Sequence, residues 1–229
     1  QVNINGFAPS YKAPHMVTQP KSKHIPRATI QRLATYVQVL ENFARDDVEV
    51  ISSNPLAEAC GVNGSQVRKD LAYFGEFGIR GVGYHVTSLI AAITSALGVD
   101  REWRMALIGV GNLGKAILNH GEFRARGFNI VGIFDCDPFK IGEIVHGLEV
   151  HCTKDLKGMV AELNIEIGII TTPPERAQRA AQHLMDAGLI SILNFAPARI
   201  KVPERVHVEY VDFFHHLYAL AFNHTQARY

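Results

Sequence analysis

The stretch "RMALIGVGNLGKAILNH", Arg104 to His120, indicates how the second half of this chain folds. An apolar run leads into three glycines in the pattern GxGxxG, and a helix-compatible stretch follows. This order predicts a strand, a tight turn and a helix. Gly109 permits the turn, Gly111 lets the backbone approach a pyrophosphate, and Gly114 lets the helix pack closely on the strand. The sequence therefore predicts a dinucleotide site.

An acidic residue follows the glycine motif at the distance typical of a ribose-binding carboxylate. Asp135 ends the next apolar run, 21 residues after Gly114. Its carboxylate can accept hydrogen bonds from ribose hydroxyls and would repel a 2′-phosphate, which favours NAD(H) over NADP(H). Lys140 weakens that preference without reversing it. Two later strand ends, residues 171–175 and 194–197, are predicted either to line the same pocket or to form ordinary turns.

Strands and helices alternate through the second half of the chain. The runs "MALIGV", "NIVGIFD", "IEIGIITT", "SILNFAP" and "VHVEYVD" are separated by helical stretches such as "PERAQRAAQHLMDAG". Apolar, β-branched runs in this arrangement predict a doubly wound parallel sheet covered on both faces. An aromatic-rich helix, "FFHHLYALAFNHTQARY", is predicted after the last strand.

The composition excludes several classes of protein. Of 229 residues, 47% are hydrophobic and 20% are charged, which is ordinary for a globular protein. No apolar run reaches the ~18 residues of a membrane helix and no leader peptide is evident, so a cytoplasmic protein without a membrane partner is expected. Three cysteines without a CxxC pair predict neither a disulfide framework nor a metal site. A net charge of +1 gives no global indication of a nucleic-acid partner.

The sequence lacks several features that a dehydrogenase needs. His120 lies about two helical turns after the glycines and is the candidate base near a cofactor, but no carboxylate orienter or substrate-binding arginine accompanies it. His215 and His216 are adjacent on the predicted last helix, so they point about 100° apart and cannot share one metal ion. Too little chain follows the last strand for a substrate domain. No catalytic residue is assigned.

The first half of the chain predicts a helix-turn-helix. In "SSNPLAEACGVNGSQVRKDLAYFG" a short helix, a glycine-containing turn and a second helix follow one another, with Ser65 as the expected cap of the second helix. Gln66, Arg68 and Lys69 lie on its early exposed face. In such motifs the second helix enters the DNA major groove. Arginine and glutamine suit base edges, and Lys69 suits phosphate.

The segment "GIRGVGY" predicts a hairpin wing whose Arg80 can enter a minor groove. Lysines and arginines of residues 21–84 nearly balance the acids, but they concentrate in the tail, the second helix and the wing, as a groove-docking module requires. A helical dimerisation or cap domain is the alternative for this half.

The chain resembles the Rex family of bacterial redox-sensing transcriptional repressors. The resemblance rests on "SQVRKDLAYFGEFGIRGVGYHV", "ALIGVGNLGKAI", "RGFNIVGIFDCDPFKIG", "IEIGIITTP" and "ILNFAP", and runs from about Ile25 to Asn223. It implies a homodimer that exchanges its C-terminal helix, binds palindromic operator DNA, and is released when NADH binds. The expected division is a flexible tail (1–23), a winged-helix domain (24–99), a Rossmann domain (100–210), and a swapped C-terminal helix with its tail (211–229).

The resemblance also implies roles for individual residues. Operator contacts are expected from Ser65, Gln66, Arg68, Lys69, Tyr73 and Arg80. NADH or NAD⁺ is expected to contact Gly109, Val110, Gly111, Asn112, Leu113, Gly114, His120, Asp135, Lys140, Thr171, Thr172, Pro173, Asn194 and Phe195. Asp212, at the start of the swapped helix, is the expected switch residue, pairing with a basic residue of the DNA-binding domain in one conformation. His120 departs from the family pattern, because some relatives carry a tyrosine there.

Two other functions are compatible with the residues. An NAD-dependent dehydrogenase with a helical cap would turn over a small substrate and would tolerate loss of Arg68. A CoA-binding subunit with a similar Rossmann domain would bind CoA and would not respond to NADH.

Overall fold

A computed structural model describes residues 25–75, 77–79 and 81–227 of the chain. The chain divides after Asp100 into two compact units. The predicted tail, residues 1–23, and the predicted wing residue Arg80 lie outside the described residues.

The first unit is helical. Its helices are α1 (Arg27–Arg45), α2 (Ser53–Ala59), α3 (Gly64–Leu71) and α4 (Val86–Ala96). Apolar residues at helical spacing on α1 meet residues of the other three helices in one core. The largest contributors are fully buried: Leu33, Tyr36, Leu40, Leu56, Val67, Leu89 and Ile93.

The helix-turn-helix forms from α2 and α3, but its cap differs from the prediction. Asn63 has the extended backbone of an N-cap residue, and its side chain accepts a hydrogen bond of 2.8 Å from the backbone N–H of Gln66. Ser65 already lies inside the helix and donates to the Asn63 side chain at 2.6 Å. The N-cap of α3 is therefore Asn63, because the side-chain oxygen of an N-cap residue accepts a hydrogen bond from the second or third N–H group of the helix.

A short β-structure joins the segment before α2 to the segment after α3. Strand β1 (Val50–Ile51) pairs antiparallel with β2 (Tyr84–His85), and Ile79 forms a single bridge with Gly83. Gly83 has φ +118°, and a Cβ there would lie 2.6 Å from the carbonyl oxygen of Ile51. Glycine therefore lets the chain return closely beside β1 at the base of the predicted wing.

The second unit is built on a seven-stranded sheet with the order β5-β6-β4-β3-β7-β8-β9. The strands are β3 (Trp103–Ile108), β4 (Phe128–Asp135), β5 (Ile144–Val145), β6 (Leu148–Cys152), β7 (Ile167–Ile170), β8 (Ser191–Asn194) and β9 (His207–Tyr210). The helices are α5 (Asn112–Leu118), α6 (Glu122–Ala125), α7 (Leu156–Glu162), α8 (Pro174–Asp186) and α9 (Phe213–Gln226). Among the described strands of this sheet, β5 alone pairs antiparallel, with β6; neither of these two strands is among the predicted runs.

Alternation along β3 divides the core between the two faces of the sheet. Ala106 and Ile108 pack with α7 and α8 on one face, and Met105 and Leu107 pack with α5 on the other. Successive side chains of a strand point to opposite faces, so an apolar run such as "MALI" requires cover on both sides. The doubly wound sheet predicted from the sequence is confirmed.

The strand order reverses at β3. This strand pairs with β4 on one side and with β7 on the other. After β3 the chain continues toward β4, and after β7 it continues toward β8, in the opposite direction along the sheet. The two connecting segments therefore diverge and leave a crevice at the carboxyl ends of β3 and β7. The glycine motif lies at this crevice.

Candidate functional site

The glycine loop follows β3 directly and fits tightly against the end of β7. Gly109 has φ +104°, and a Cβ there would lie 2.8 Å from the carbonyl carbon of Thr171. The Thr171 hydroxyl donates hydrogen bonds to the carbonyl oxygens of Ile108, at 3.1 Å, and Gly109, at 2.7 Å. A side chain at position 109 would therefore push apart the two strand ends that form the crevice.

The start of α5 is open to the crevice. Gly111 is the N-cap of α5, no side chain caps the first turn, and nothing lies within 4 Å of an ideal Cβ built at this glycine. A Cβ at Gly114, by contrast, would clash with the Gly109 carbonyl oxygen. The loop thus leaves the first-turn N–H groups of α5 accessible while α5 packs closely on β3, an arrangement suited to a phosphate group.

Asp135 connects the glycine loop with the end of β4. Its carboxylate is 6% exposed and accepts hydrogen bonds from the backbone N–H groups of Val110, at 2.9 Å, Cys136, at 2.8 Å, and Asp137, at 3.0 Å. Lys140 Nζ donates to it at 3.0 Å. Burial raises the pKa of Asp135, but the hydrogen bonds from Lys140 and the backbone outweigh burial and hold the pKa below its usual value. The residue is therefore an anion at neutral pH.

The four bonds occupy the approximately four acceptor positions of a carboxylate. A ribose hydroxyl that binds Asp135 must therefore share or displace one of these donors. Lys140 is the most readily displaced donor, because its side chain is 32% exposed and can turn away while the backbone stays in place. The other three donors are backbone N–H groups.

These elements enclose a cavity of about 530 Å³. Seven residues expected from the sequence line it: Gly109, Gly111, Asp135, Lys140, Thr171, Thr172 and Pro173. Thr172 Oγ1 is buried and has no hydrogen-bond partner among the described residues. A buried hydroxyl without a partner is costly, so this atom favours a polar ligand in the cavity.

Other predicted residues have structural positions beside the cavity. Val110 and Gly114 are buried beneath the loop. Asn194 is fully buried; its amide donates to the carbonyl oxygens of Ala196 and Ala198, and its Oδ1 accepts from the Ala196 N–H. The predicted contacts of the cofactor with Asn112, Leu113, Asn194 and Phe195 stay predictions, since none of these residues lines the cavity.

His120 lies outside the cavity of the glycine loop, and its predicted contact with NADH or NAD⁺ stays a prediction. It lines a second cavity of about 570 Å³, together with Phe123, Phe128 and His146. The glycine loop is at the beginning of α5 and His120 follows its end, about 12 Å further along at 1.5 Å per residue. The helix therefore carries His120 away from the glycine loop, and the structure does not bring it into the cavity that contains Gly109 and Asp135.

Several cavity residues were not predicted. Cys136, Lys154, Arg176, Arg179 and His183 all line the cavity of the glycine loop. The last three recur at intervals of three and four residues on α8, so they share one helix face. This spacing is visible in the sequence, but it points to the cavity only once α8 is known to lie beside the loop.

The predicted DNA-reading residues lie on α3. Ser65, Arg68 and Lys69 are exposed, and Gln66 is half-buried. Arg68 Nη1 donates to Ser53 Oγ on α2 at 2.5 Å. Tyr73, after the end of α3, is half-buried against the helical core. Exposed basic residues on the second helix are the arrangement that a groove-binding helix requires.

A buried carboxylate holds α3 against α1. Asp70 is fully buried and accepts two hydrogen bonds from Arg32, at 2.6 and 2.7 Å, and one from the Tyr36 hydroxyl at 2.9 Å. Thr29 and Gln66 donate to it at 3.1 and 2.9 Å. Burial raises the pKa of Asp70, but the hydrogen bonds from Arg32, Tyr36 and Gln66 outweigh it, so the pKa lies below the usual value. One N–H of the Gln66 side-chain amide is thus used within the protein, and the predicted contact of Gln66 with DNA stays a prediction.

The predicted switch residue begins the last helix. Asp212 is the N-cap of α9 and accepts a hydrogen bond of 2.9 Å from the Phe214 N–H. Its other oxygen lies 3.1 Å from His215 Nδ1. The hydrogen bond from Phe214, followed by that from His215, lowers the pKa of Asp212. Its predicted pairing with a basic residue of the DNA-binding domain stays a prediction.

Two kinds of site are not found among the described residues. No group of three His, Cys, Asp or Glu side chains in the described ranges could hold a metal ion. No described helix is long and apolar enough to cross a bilayer.

Two family models match the chain. Residues 24–72 match "Putative DNA-binding protein N-terminus", and residues 100–198 match "CoA binding domain". The chain is 66% identical over 203 residues to the redox-sensing transcriptional repressor Rex of Maridesulfovibrio salexigens, covering 89% of this chain and 97% of that protein. The chain belongs to the Rex family.

Further relatives have the same relationship to this chain. The Rex repressor of Solidesulfovibrio magneticus is 63% identical, over 91% of this chain and 94% of that protein. Among solved structures, RSP in complex with β-NAD⁺ and operator DNA superposes with a TM-score of 0.84 at 38% identity, covering 90% of this chain and 95% of RSP. RSP with β-NADH gives a TM-score of 0.81 at 36% identity, covering 90% and 97% of the two chains. The family predicted from the sequence is confirmed.

The substitution Asp70→Asn tests the buried carboxylate. It leaves Arg32 without its ionic partner, and breaking a buried pair costs about 3 kcal/mol. We expect the opening free energy of the α1 and α3 amides, measured by hydrogen exchange at pH 7, to fall by about that amount. Glu58→Gln, an exposed change on α2, should leave it within about 0.5 kcal/mol.

The difference between the native chain and Asp70→Asn should also depend on pH. A depressed folded pKa means that the ionised carboxylate stabilises the fold above the unfolded pKa, about 3.9. This stabilisation is lost as the pH falls through the lower folded value. The difference should therefore be constant from pH 5 to 7 and shrink below about pH 4. Equal opening free energies at pH 7 would contradict the proposed role of Asp70.

Proposed function

We propose that this chain is a redox-sensing transcriptional repressor that binds operator DNA through α3 and is released when NADH binds at the glycine loop. It regulates transcription and is not an enzyme, because its relatives over nearly their whole length are Rex repressors. The dehydrogenase and CoA-subunit alternatives are therefore set aside.

The observation that carries this function is the combination of two modules in one chain. An exposed basic helix of a helix-turn-helix precedes a Rossmann cavity that has an open glycine loop. RSP, similar over 90% of this chain, has been solved with β-NAD⁺ and operator DNA and with β-NADH. Operator DNA suits the helix-turn-helix of this chain, and the two dinucleotides suit its Rossmann cavity.

The cavity supplies groups for two parts of NADH. The open side of Gly111 and the N–H groups of α5 suit the pyrophosphate, and Asp135 with Lys140 suits the adenosine ribose. Thr172 supplies a hydroxyl that lacks a partner in the described part of the chain. The dinucleotide serves as a signal in this proposal, because the relatives that match nearly the whole chain are redox-sensing repressors.

Release of DNA requires that NADH prefer one conformation. A ligand shifts an equilibrium only by its difference in affinity for the two states, and a change from 1:99 to 99:1 needs about 10⁴-fold. In a dimer, the state that binds operator DNA places its two α3 helices in successive major grooves, ~34 Å apart. We propose that the NADH-bound dimer no longer meets this spacing.

The helix α9 supplies the dimer contact in this proposal. None of its residues is buried, and its apolar side chains are more than half exposed: Phe213, Phe214, Leu217, Tyr218, Leu220 and Phe222. An exposed apolar surface of this extent marks an interaction site. Because the apolar residues lie on more than one face of α9, we propose that a second copy of the chain encloses the helix, as in a swapped dimer. Two α3 helices related by twofold symmetry then require a palindromic operator.

The substitution Gly111→Val tests the sensing cavity. Position 111 has an ordinary φ of −92°, so valine is not strained there, but its side chain would fill the open side of the loop. We expect operator binding to persist and NADH-induced release to be lost, measured by fluorescence anisotropy of a labelled palindromic operator. Gly158→Val, at another open glycine position, is the matched control and should still respond. If Gly111→Val releases DNA normally, NADH does not act through this cavity.

The substitution Lys69→Ala tests the helix that contacts DNA. A phosphate contact contributes equally to all sequences, so affinity should fall for operator and nonspecific DNA alike. The slope of log K against log salt should decrease by about one for each lysine that contacts a phosphate. Lys157→Ala, an exposed lysine of α7, should change neither affinity nor slope. An unchanged slope for Lys69→Ala would place DNA elsewhere.

The substitution Leu217→Glu tests the role of α9. It places a charge on the exposed apolar surface, which a monomer tolerates and an enclosed helix does not. We expect the native chain to elute as a dimer in light-scattering chromatography and Leu217→Glu to elute as a monomer. Thr225→Glu, near the end of the same helix, is the control and should remain dimeric. A monomeric native chain would contradict the proposed assembly.

A further inference from the structure

Two cysteines line the cavity of the glycine loop, although no CxxC spacing relates them in the sequence. They are Cys136, which is exposed, and Cys152, which is half-buried, and both are free thiols. The third cysteine, Cys60, belongs to the first unit. The proposed function makes no use of either cavity thiol. We call Cys136 and Cys152 the thiol pair.

The register of the sheet brings the thiol pair together. Cys152 ends β6 and is paired with Asp135, the last residue of β4, and Cys136 follows Asp135 in the chain. The Thr153 N–H donates to the Asp135 carbonyl oxygen at 3.2 Å, so the two strands stay paired up to this point. Paired strands are about 4.8 Å apart, and consecutive Cα atoms are about 3.8 Å apart in a direction roughly along the strand. The two cysteine Cα atoms are therefore about 6 Å from each other, within the range of about 4.4–6.8 Å that disulfides usually span.

Both cysteines also face the same space. Successive side chains of a strand point to opposite faces of a sheet, and this would direct Cys136 away from Cys152 if β4 continued. However, β4 ends at Asp135, whose carboxylate accepts the N–H groups of Cys136 and Asp137 at 2.8 and 3.0 Å. Such bonds from an aspartate to the next residues form a turn. The chain therefore turns at Cys136, and both members of the thiol pair line one cavity.

The surroundings of Cys136 are those of a reactive thiol. Arg176 Nη1 donates to its sulfur at 3.1 Å, and three further cations line the same cavity: Lys140, Lys154 and Arg179. Reactive cysteines lie in partly exposed, positively charged surroundings, because the thiolate is the nucleophile. Exposure and positive charge at Cys136 therefore favour attack by its sulfur on an oxidant in solution.

We propose that hydrogen peroxide oxidises the thiol pair to a disulfide, and that this disulfide weakens the binding of NADH. The proposal rests on the proposed function, since it gives the same cavity a second input. Oxidation then keeps the repressor on operator DNA at concentrations of NADH that release the reduced chain. The thiol pair responds to peroxide, whereas the dinucleotide reports the ratio of NADH to NAD⁺.

The oxidation takes place in two steps. The Cys136 thiolate attacks one oxygen of hydrogen peroxide, an S–O bond forms and the O–O bond breaks. The other oxygen leaves as water with the proton that Cys136 lost, and the product is a sulfenic acid. The Cys152 sulfur then attacks the sulfur of Cys136, the S–S bond forms, and the S–O bond breaks. A second water carries away the proton of the Cys152 thiol, so the two sulfurs together lose the two electrons that the peroxide gains.

The disulfide lies beside the proposed ribose site. Asp135, the expected partner of the ribose, is adjacent to both cysteines, since it precedes Cys136 and is paired with Cys152. The crosslink also fixes the start of the loop that carries Lys140, the donor that a ribose most readily displaces. Both effects oppose binding of the adenosine half of NADH.

Peroxide treatment of the full chain tests the proposal. The reduced chain is exposed to hydrogen peroxide, and peptide mass mapping without reductant identifies its cysteine linkages. We expect a crosslink between Cys136 and Cys152 of one chain, an affinity for NADH at least about tenfold lower than that of the reduced chain, and recovery with dithiothreitol. The absence of this crosslink, a crosslink to Cys60 in its place, or an unchanged affinity for NADH overturns the proposal.

Serine variants identify the two thiols. We expect Cys136→Ser to have the same affinity for NADH before and after peroxide treatment. Cys152→Ser should form no crosslink and should accumulate a sulfenic acid at Cys136, which dimedone labels. Cys60→Ser is the matched control and should lose affinity as the native chain does. If oxidised Cys136→Ser also loses affinity, or if dimedone does not label Cys152→Ser, Cys136 is not the attacking thiol and the proposal is wrong.

Titration of the reduced chain with NADH separates this proposal from the proposed function. If the reduced and the oxidised chain bind NADH equally well, only the role of the thiol pair is contradicted. If the reduced chain does not bind NADH, the proposed function fails, and this proposal fails with it.

Discussion

The sensing half of this molecule depends on the hydrogen bonds of one carboxylate. Asp135 ends β4, yet it accepts the N–H of Val110, in the loop after β3. The bond holds the glycine loop next to the position where a ribose would lie. Asp135 therefore fixes the distance between the proposed pyrophosphate site and the proposed ribose site. Lys140 pairs with the carboxylate and keeps it ionised. An ionised acceptor makes the hydrogen bond from Val110 strong.

The DNA-binding half uses the same device for a different purpose. Asp70 is an interior anion on α3, and its partners Thr29, Arg32 and Tyr36 all belong to α1. A core of apolar side chains would hold α3 without specifying its rotation, whereas four directional hydrogen bonds from α1 permit one orientation. That orientation presents Arg68 and Lys69 outward, as reading a groove requires.

Sequence reasoning recovered the features that depend on neighbouring residues. The glycine loop, Asp135 and the helix-turn-helix are local patterns, and each was found where it was predicted. Features that depend on how elements pack were not recovered. His120 follows a helix whose length moves it away from the loop, and the cationic face of α8 acquires meaning only beside that loop. The strands β5 and β6 were not predicted, and β5, with two residues, is too short to show a periodicity.

The exposure of α9 makes stability a collective property in the assembly proposed above. A helix that finds its apolar cover on another copy of the chain is folded to the extent that a second copy is present. The melting temperature of the protein should then rise with its concentration. A regulator present in few copies per cell would operate near the concentration at which the two copies of the dimer dissociate. Occupancy of the operator would then depend on the abundance of the protein as well as on the ratio of NADH to NAD⁺.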